Sequence, residues 1–281
     1  MKVLLTGSTG FLGRNIKFLL ERFGHEIICP RSSALLPNWD MLDLSSIEEI
    51  FSEHSPDVIV HSAWGVNEVN YRESEFNLKW QASTLKLYTL AAEHNVGHFI
   101  ALGTFSETGQ DIFSGESRDR SVYAETKRQT LSNLIELESQ LKLPVSWLRV
   151  NYPYGFWDKR NRLISVLIEK SISKEEFHLK SPDLKLDFTH SLDIANAVRV
   201  VIEKKIRGTL EVKSDESHSL SEVQDRIRTL LLNEMTHGNN IDVLMDCINL
   251  NAGEEMWKAL IPFDMGLSAT IMNILESKAD N

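Results

Sequence analysis

The chain has 281 residues, 42% hydrophobic and 25% charged, the balance of a globular protein with a full apolar core and room for a smaller second lobe. A formal net charge of −10 excludes non-specific attraction to nucleic acid or to an anionic membrane surface. No apolar run nears the roughly 20 residues of a membrane span, and M-K-V-L-L-T-G lacks the apolar stretch of a secretory leader, so a soluble, cytoplasmic protein is expected.

Lys2–Thr6 is a short apolar, β-branched run and predicts a buried parallel strand. It enters Gly7-Ser8-Thr9-Gly10-Phe11-Leu12-Gly13, then an amphipathic segment with Ile16, Leu19, Leu20 and Phe23 at helical spacing, stopped at Gly24. Glu26–Pro30 predicts a second strand, completing a βαβ unit. Ser45–Glu53 predicts a helix with Ser45 as cap and Glu48 in capping-box spacing. Strands follow at Val58–His61, His98–Leu102 and Val145–Val150, with helices at Asn77–His94 and Tyr123–Leu141 between them. That alternation predicts an α/β fold with a doubly wound parallel sheet. Beyond Gly155, helices are expected at Arg162–Ile172, Asp193–Lys204 and Ala269–Ser277, a short strand at Thr209–Val212, and a last stretch opening at Ser219. Residues 1–155 and 187–212 are expected to form the dinucleotide-binding core, and 156–186 with 213–281 a smaller substrate-binding lobe.

Three glycines spaced by two residues between a strand and a helix aim backbone N–H groups at a helix N-terminus, where a pyrophosphate is favoured. Gly7 serves the tight turn, Gly10 the approach of the phosphate, and Gly13 the close packing of helix on strand. An NAD site ordinarily ends its second strand in Asp or Glu for the ribose 2′-hydroxyl. Here Arg31 and Ser32 follow that strand, a pair suited to a 2′-phosphate, so NADP is expected with NAD the alternative.

Tyr123 and Lys127 stand one turn apart on one helix face. A phenol titrates near pH 10, and an adjacent ammonium favours its phenolate, which makes the pair a proton relay for a carbonyl oxygen. The two cysteines, Cys29 and Cys247, are expected as reduced thiols, and the histidines form no ligand spacing, so no metal is expected.

Taken with D-M-L-D at 40–43, V-H-S-A at 60–63, G-T-F-S-E-T-G at 103–109, L-R-V-N-Y-P-Y-G at 148–155 and D-F-T-H-S-L-D-I-A at 187–195, the chain resembles the extended short-chain dehydrogenases/reductases of the nucleotide-sugar epimerase/dehydratase family, from Met1 to about Ile271. The resemblance implies a Rossmann-type fold and a third catalytic group, Thr104, five residues before Gly109. It implies a dinucleotide held by Gly7, Thr9, Gly10, Phe11, Leu12 and Gly13, with Asp40 and Met41 at the adenine. Ser62, Ala63 and Asn77 would lie along the dinucleotide, Tyr123 and Lys127 at the nicotinamide ribose, and Pro153 near the carboxamide.

Ala63-Trp64, N-L-K-W at 77–80 and S-W-L-R at 146–149 are similar to a subgroup of NADPH-using nucleotide-sugar 4-ketoreductases. Trp64, Thr104, Tyr152 and Arg162 are then candidate substrate ligands. The chain departs from the family at Tyr152, where many members carry Asn, and at Leu186, where many carry Arg; Lys159, Arg160 and Arg162 offer alternative positive charge for a nucleoside diphosphate. Reduction of a nucleotide-linked 4-keto-6-deoxyhexose in deoxysugar biosynthesis is expected, with an NAD-retaining epimerase or a non-catalytic dinucleotide-sensing protein as alternatives. Dehydratases of the family carry acidic residues directly after the catalytic Thr, where this chain has Phe105 and Ser106. A homodimer through the Asn77 and Tyr123 helices is also implied.

Overall fold

The computed structural model describes residues 1–30, 39–66, 70–109, 117–158, 162–175, 177–232, 241–250 and 257–279. The chain forms two compact units, 1–150 with 198–211 and 151–197 with 212–281.

In the first unit, β1 (Lys2–Thr6), β2 (Glu26–Ile28), β3 (Val58–His61), β4 (His98–Thr104), β5 (Val145–Val150) and β9 (Gly208–Val212) form one sheet in the order β2-β1-β3-β4-β5-β9. From β2 through β5 every pairing is parallel, with Val3 opposite Val58, Val58 opposite His98 and Thr104 opposite Val150. Strands β3 to β5 are buried almost end to end, as in a sheet covered on both faces. Helices α1 (Phe11–Arg22), α2 (Ser46–Glu53), α3 (Phe76–Glu93) and α4 (Val122–Leu141) supply the crossovers, and α2 and α3 add Ile47, Ile50, Leu87 and Tyr88 to a core shared with Leu4, Ile59, Phe99 and Trp147. The order of connection reverses between β1 and β3, and at such a switch point an open α/β sheet leaves a crevice at its strand ends.

Two local expectations change. Strand β2 stops at Ile28, two residues short of the predicted end. The capping box expected at Ser45 does not form: Ser45 is already helical in backbone, and its hydroxyl donates to Asp43 Oδ1 at 2.6 Å.

The second unit contains β6 (Pro153–Tyr154), β7 (Lys185–Asp187), β8 (Thr189–His190) and β10 (Ser217–Ser219), with α5 (Leu163–Ile172), α7 (Leu220–Leu232), α8 (Ile241–Leu250) and α9 (Phe263–Ala279). Helix α6 (Ser191–Lys204) starts here and ends in the first unit. Residues 151–155, 187–197 and Val212, expected with the Rossmann core, group here. The reason is packing: β6 pairs with β8, and the rings of Tyr154, Phe156, His190 and Phe263 meet edge to face or tilted at 5.2–5.5 Å. Strands of two or three residues carry no readable period, so no pattern in the sequence marks β6, β7, β8 or β10.

Asp193, in the first turn of α6, is buried and accepts the backbone N–H groups of Leu260 (2.9 Å) and Ile261 (3.3 Å), while its own carbonyl accepts from the Trp257 indole. Burial raises its carboxyl to about 7 despite those two donors. A carboxyl raised on folding contributes stability below its unfolded pKa and loses it as pH climbs through the folded one. The melting temperature of wild type relative to Asp193→Asn is therefore expected to fall between pH 5 and 8. It must be read as a difference, because burial depresses His61 and His190 to about 3 and His98 to about 4, and these titrate in the opposite sense. A difference that stays constant over that range would contradict this assignment.

Candidate active site

The glycine loop is built by exclusion of side chains. Gly7 has φ +73°, and a Cβ there would lie 2.7 Å from the Ala63 backbone nitrogen. A Cβ on Gly13 would lie 2.0 Å from the Gly7 carbonyl oxygen, so α1 packs on β1 only because both positions are bare. Gly10 caps α1 and donates its N–H to Gly7 O at 2.9 Å. No acidic residue stands in the first turn of α1, so the helix supplies no counter-charge of its own at its positive end. Thr9 is exposed, Leu12 half-buried and Phe11 buried in the core. The cradle fits a dinucleotide pyrophosphate.

Beside it, the end of β3 is fixed by a chain of hydrogen bonds. Ala63 N–H donates to Thr6 Oγ1 (3.3 Å), and the Thr6 hydroxyl donates to His61 Nδ1 (2.8 Å), the bare nitrogen of a ring whose tautomer is fixed from its other end. His61 Nε2–H then donates to Thr84 Oγ1 (2.9 Å), whose hydroxyl donates to Trp80 O (2.7 Å). Burial, with the Lys127 charge, drives His61 down to about 3, so it is a neutral strut. Ser62 N–H closes the same corner on Thr6 O. Asp40 is exposed and its carboxylate accepts the Leu42 N–H, while the Met41 side chain lies in the core. Arg31, Ser32, Lys159 and Arg160 lie outside the described residues.

Thr104, Tyr123 and Lys127 all belong to the first unit. Thr104 ends β4 and caps a 3-10 turn, Phe105–Glu107; its hydroxyl accepts from Ser106 N–H (3.3 Å), which leaves its own proton available to a ligand. Tyr123 opens α4 behind the Ser121 cap and is half-buried, its ring edge-on to Trp64 and Tyr71. Its N–H donates to Arg72 O, and Arg72 holds Asp119 through two hydrogen bonds of 3.0 and 3.1 Å. Lys127 is buried, donates to Leu102 O at 2.8 Å, and sits 3.7 Å from the centre of the Trp64 ring. Loss of water lowers its ammonium to about 7, against support from the Glu107 carboxylate. Trp64 is itself anchored, donating its indole N–H to Asn77 Oδ1 (2.9 Å), and the Asn77 amide donates to the carbonyls of Tyr71 and Ser74.

The model for the NAD-dependent epimerase/dehydratase family matches residues 3–212, well over half of the chain. The chain belongs to that family. Among curated relatives, dTDP-6-deoxy-L-talose 4-dehydrogenase (NAD(+)) of Aggregatibacter actinomycetemcomitans is 25% identical, over 78% of this chain and 87% of that protein. CDP-abequose synthase of Yersinia pseudotuberculosis is 22% identical, over 85% and 87%. GDP-L-colitose synthase of the same organism is 28% identical, but the match spans only 44% of this chain and 40% of that protein. In fold, the chain is similar to UDP-glucose 4-epimerase of Thermotoga maritima, with a TM-score of 0.78 at 17% identity, covering 99% and 100% of the two chains.

Around Thr104, Tyr123 and Lys127 the structure adds residues to which no motif in the sequence assigns a role. Glu107 is buried beneath Thr104, and Arg128 on α4 donates to the carbonyls of Ser106, Glu107 and Asp119, tying the turn and the neighbouring loop to the helix. Glu107 had a local signal: Thr104-x-x-Glu107 is capping-box spacing, and that box does form. Arg128 and Asp119 had none.

In the second unit, Pro153 lies in β6 and Tyr152 is half-buried with its ring 6.1 Å from Phe188. Arg162 caps α5 and pairs with the buried carboxylate of Asp158 at 3.3 Å. Leu186, at the position where many members carry Arg, is buried in β7.

Among the described residues no helix is long and apolar enough to cross a membrane.

A buried ammonium opposes folding below its depressed pKa, and that cost fades as pH rises through about 7 toward the unfolded value. Lys127→Met is therefore expected to raise the melting temperature of the free protein at pH 6, with the gain shrinking by pH 9. Calorimetry at several pH values checks this, and a variant less stable than wild type at pH 6 would contradict it.

Proposed function

We propose that this chain is an NADPH-dependent reductase of a nucleoside-diphosphate-linked 4-keto-6-deoxyhexose, working in deoxysugar biosynthesis. The observation that carries the proposal is the triad: a Thr104 hydroxyl with its proton free to donate, a half-buried Tyr123, and a desolvated Lys127 one turn away, all in the unit that holds the glycine cradle. The names of the relatives, a talose 4-dehydrogenase and an abequose synthase, support a sugar on a nucleoside diphosphate as substrate.

Bound to the cradle, the dinucleotide supplies hydride. Thr104 donates its hydroxyl proton in a hydrogen bond to the substrate carbonyl, and Tyr123 gives its phenolic proton to the oxygen as it becomes an alcohol. Lys127 stabilises the phenolate left behind and binds the nicotinamide ribose. The Leu102 carbonyl and the Trp64 face hold its ammonium in a site that offers little water. Gly7 to Gly13 would hold the pyrophosphate, Asp40 and Met41 the adenine, Ser62, Ala63 and Asn77 the middle of the dinucleotide, and Pro153 the carboxamide. Trp64 is assigned to the sugar, with Tyr152 and Arg162 assigned to substrate recognition. Helices α3 and α4 expose Phe76, Leu78 and Ile135, which supports pairing of two copies through them in the cytoplasm.

A second reading is an epimerase that retains NAD; the NAD(+) in the name of the talose enzyme and the absence of an acid after β2 pull in opposite directions. Titration with NADPH and NADH separates the two. The reductase predicts exchangeable binding with NADPH preferred about tenfold or more, a preference lost in Arg31→Ala because a paired guanidinium–phosphate contact disappears. NAD that co-purifies and does not exchange would move the assignment to the epimerase. For the chemistry, Tyr123→Phe is expected to lower turnover of a dTDP- or CDP-linked 4-keto-6-deoxyhexose by about 10²–10⁴ while dinucleotide binding and fold persist. Full activity in that variant would remove Tyr123 from the mechanism.

A further inference from the structure

A carboxylate stripped of water costs several kcal/mol unless donors and an opposite charge surround it. Glu107 has no exposed side-chain surface, and it is surrounded. Thr104 N–H donates to Oε1 at 2.7 Å, the Trp147 indole N–H reaches both oxygens at 3.0 and 2.8 Å, and Arg149 Nε pairs with Oε2 at 3.0 Å. Arg149 in turn holds Glu211 at 2.9 Å from β9. Space for the carboxylate comes from Gly103, where a Cβ would lie 2.5 Å from Glu107 Oε1 and 2.1 Å from the Trp147 indole nitrogen.

The end of β4 is held from a second direction. Lys127 donates to the carbonyl of Leu102, and its ammonium lies 5.5 Å from the centre of the Trp147 ring whose N–H serves Glu107. An ammonium thus grips the carbonyl at 102, a carboxylate grips the N–H at 104, and the residue between them has no side chain. The strand end so clamped carries the Thr104 hydroxyl.

We propose that Glu107 is the positioning residue of this site, fixing Thr104 through its backbone N–H and standing as the carboxylate that faces Lys127 across the shared Trp147 indole. The inference rests on the reading of Thr104 and Lys127 as catalytic residues. Electrostatically, the Glu107 carboxylate opposes the effect of burial on the Lys127 ammonium, which without it would release its proton more readily. Among the described residues, the other titratable or charged groups around the pair are neutral His61 at the end of β3, Arg149 on β5, and Arg128 and Tyr123 on α4 itself.

The test is read on the free protein, so it stands or falls independently of turnover. Lysine carrying ¹³C at Cε is incorporated, and the Lys127 resonance is identified by its loss in Lys127→Arg. In wild type it is expected to titrate at about 7. Glu107→Gln keeps an oxygen for the Thr104 N–H but removes the charge, and the midpoint is expected to fall by about one unit, the scale of a lost neighbouring charge. A purely structural role would leave it in place. A folded Glu107→Gln whose Lys127 midpoint does not move overturns the proposal. If Glu107→Gln does not fold, Arg149→Met is used instead: it leaves the carboxylate less neutralised, so the midpoint is expected to rise, and an unmoved or lowered midpoint overturns the proposal. Retention of activity in Tyr123→Phe would sink the reductase reading without touching either result.

Discussion

The contact between the Gly7 carbonyl and the bare Cα of Gly13 is the constraint on which the first unit depends. No side chain fits at position 13, since its first carbon would lie 2.0 Å from that oxygen, and none fits at position 7 against the Ala63 backbone. Removing both lets α1 begin almost on top of β1 and lets the loop after β3 close against it. The open end of the helix then stands at the point where the sheet changes its direction of connection. The corner is stiffened from below by Thr6, His61 and Thr84, whose hydrogen bonds have a single consistent direction because the Thr84 hydroxyl is committed to the Trp80 carbonyl and must accept from the neutral His61 ring.

On the other side of the sheet centre, the problem solved is charge in an apolar interior. Lys127, Glu107 and Asp119 are buried, and each has dedicated partners: a carbonyl and two indole faces for the lysine, three donors for Glu107, a bidentate guanidinium for Asp119. Low polarity makes each of these contacts count for more than it would in water, and makes each orphaned partner costly. Tyr123 is framed by the same arrangement, with its backbone tied to Arg72 and its ring edge-on to Trp64 and Tyr71. A stiff, fully partnered surround is what a proton-transfer group needs if it is to meet a carbonyl oxygen in one orientation.

The second unit relies on aromatic packing and on the buried carboxyl of Asp193. Tyr154, Phe156, His190 and Phe263 form its centre, and Asp193 draws the 257–261 segment onto the start of α6 through backbone donors. These links join residues nearly seventy positions apart, and the strands that flank them are two or three residues long.

What the sequence determined by itself is what depends on neighbours along the chain. The βαβ start, the glycine spacing, the helical Tyr123/Lys127 pair and the Thr-x-x-Glu cap at 104–107 are all local patterns of period, turn or cap, and the structure contains each of them. Local spacing also misled once, at Ser45, because a helical backbone and a closer acceptor in Asp43 outcompeted the cap. Only the tertiary structure decided that Trp64 covers the Lys127 ammonium, that Trp147 and Arg149 from the adjacent strand receive Glu107, and that Asn77 braces the Trp64 indole. Those contacts follow from which strands lie side by side and at what register, here Gly103 opposite Arg149, and no pattern in a single segment encodes that pairing.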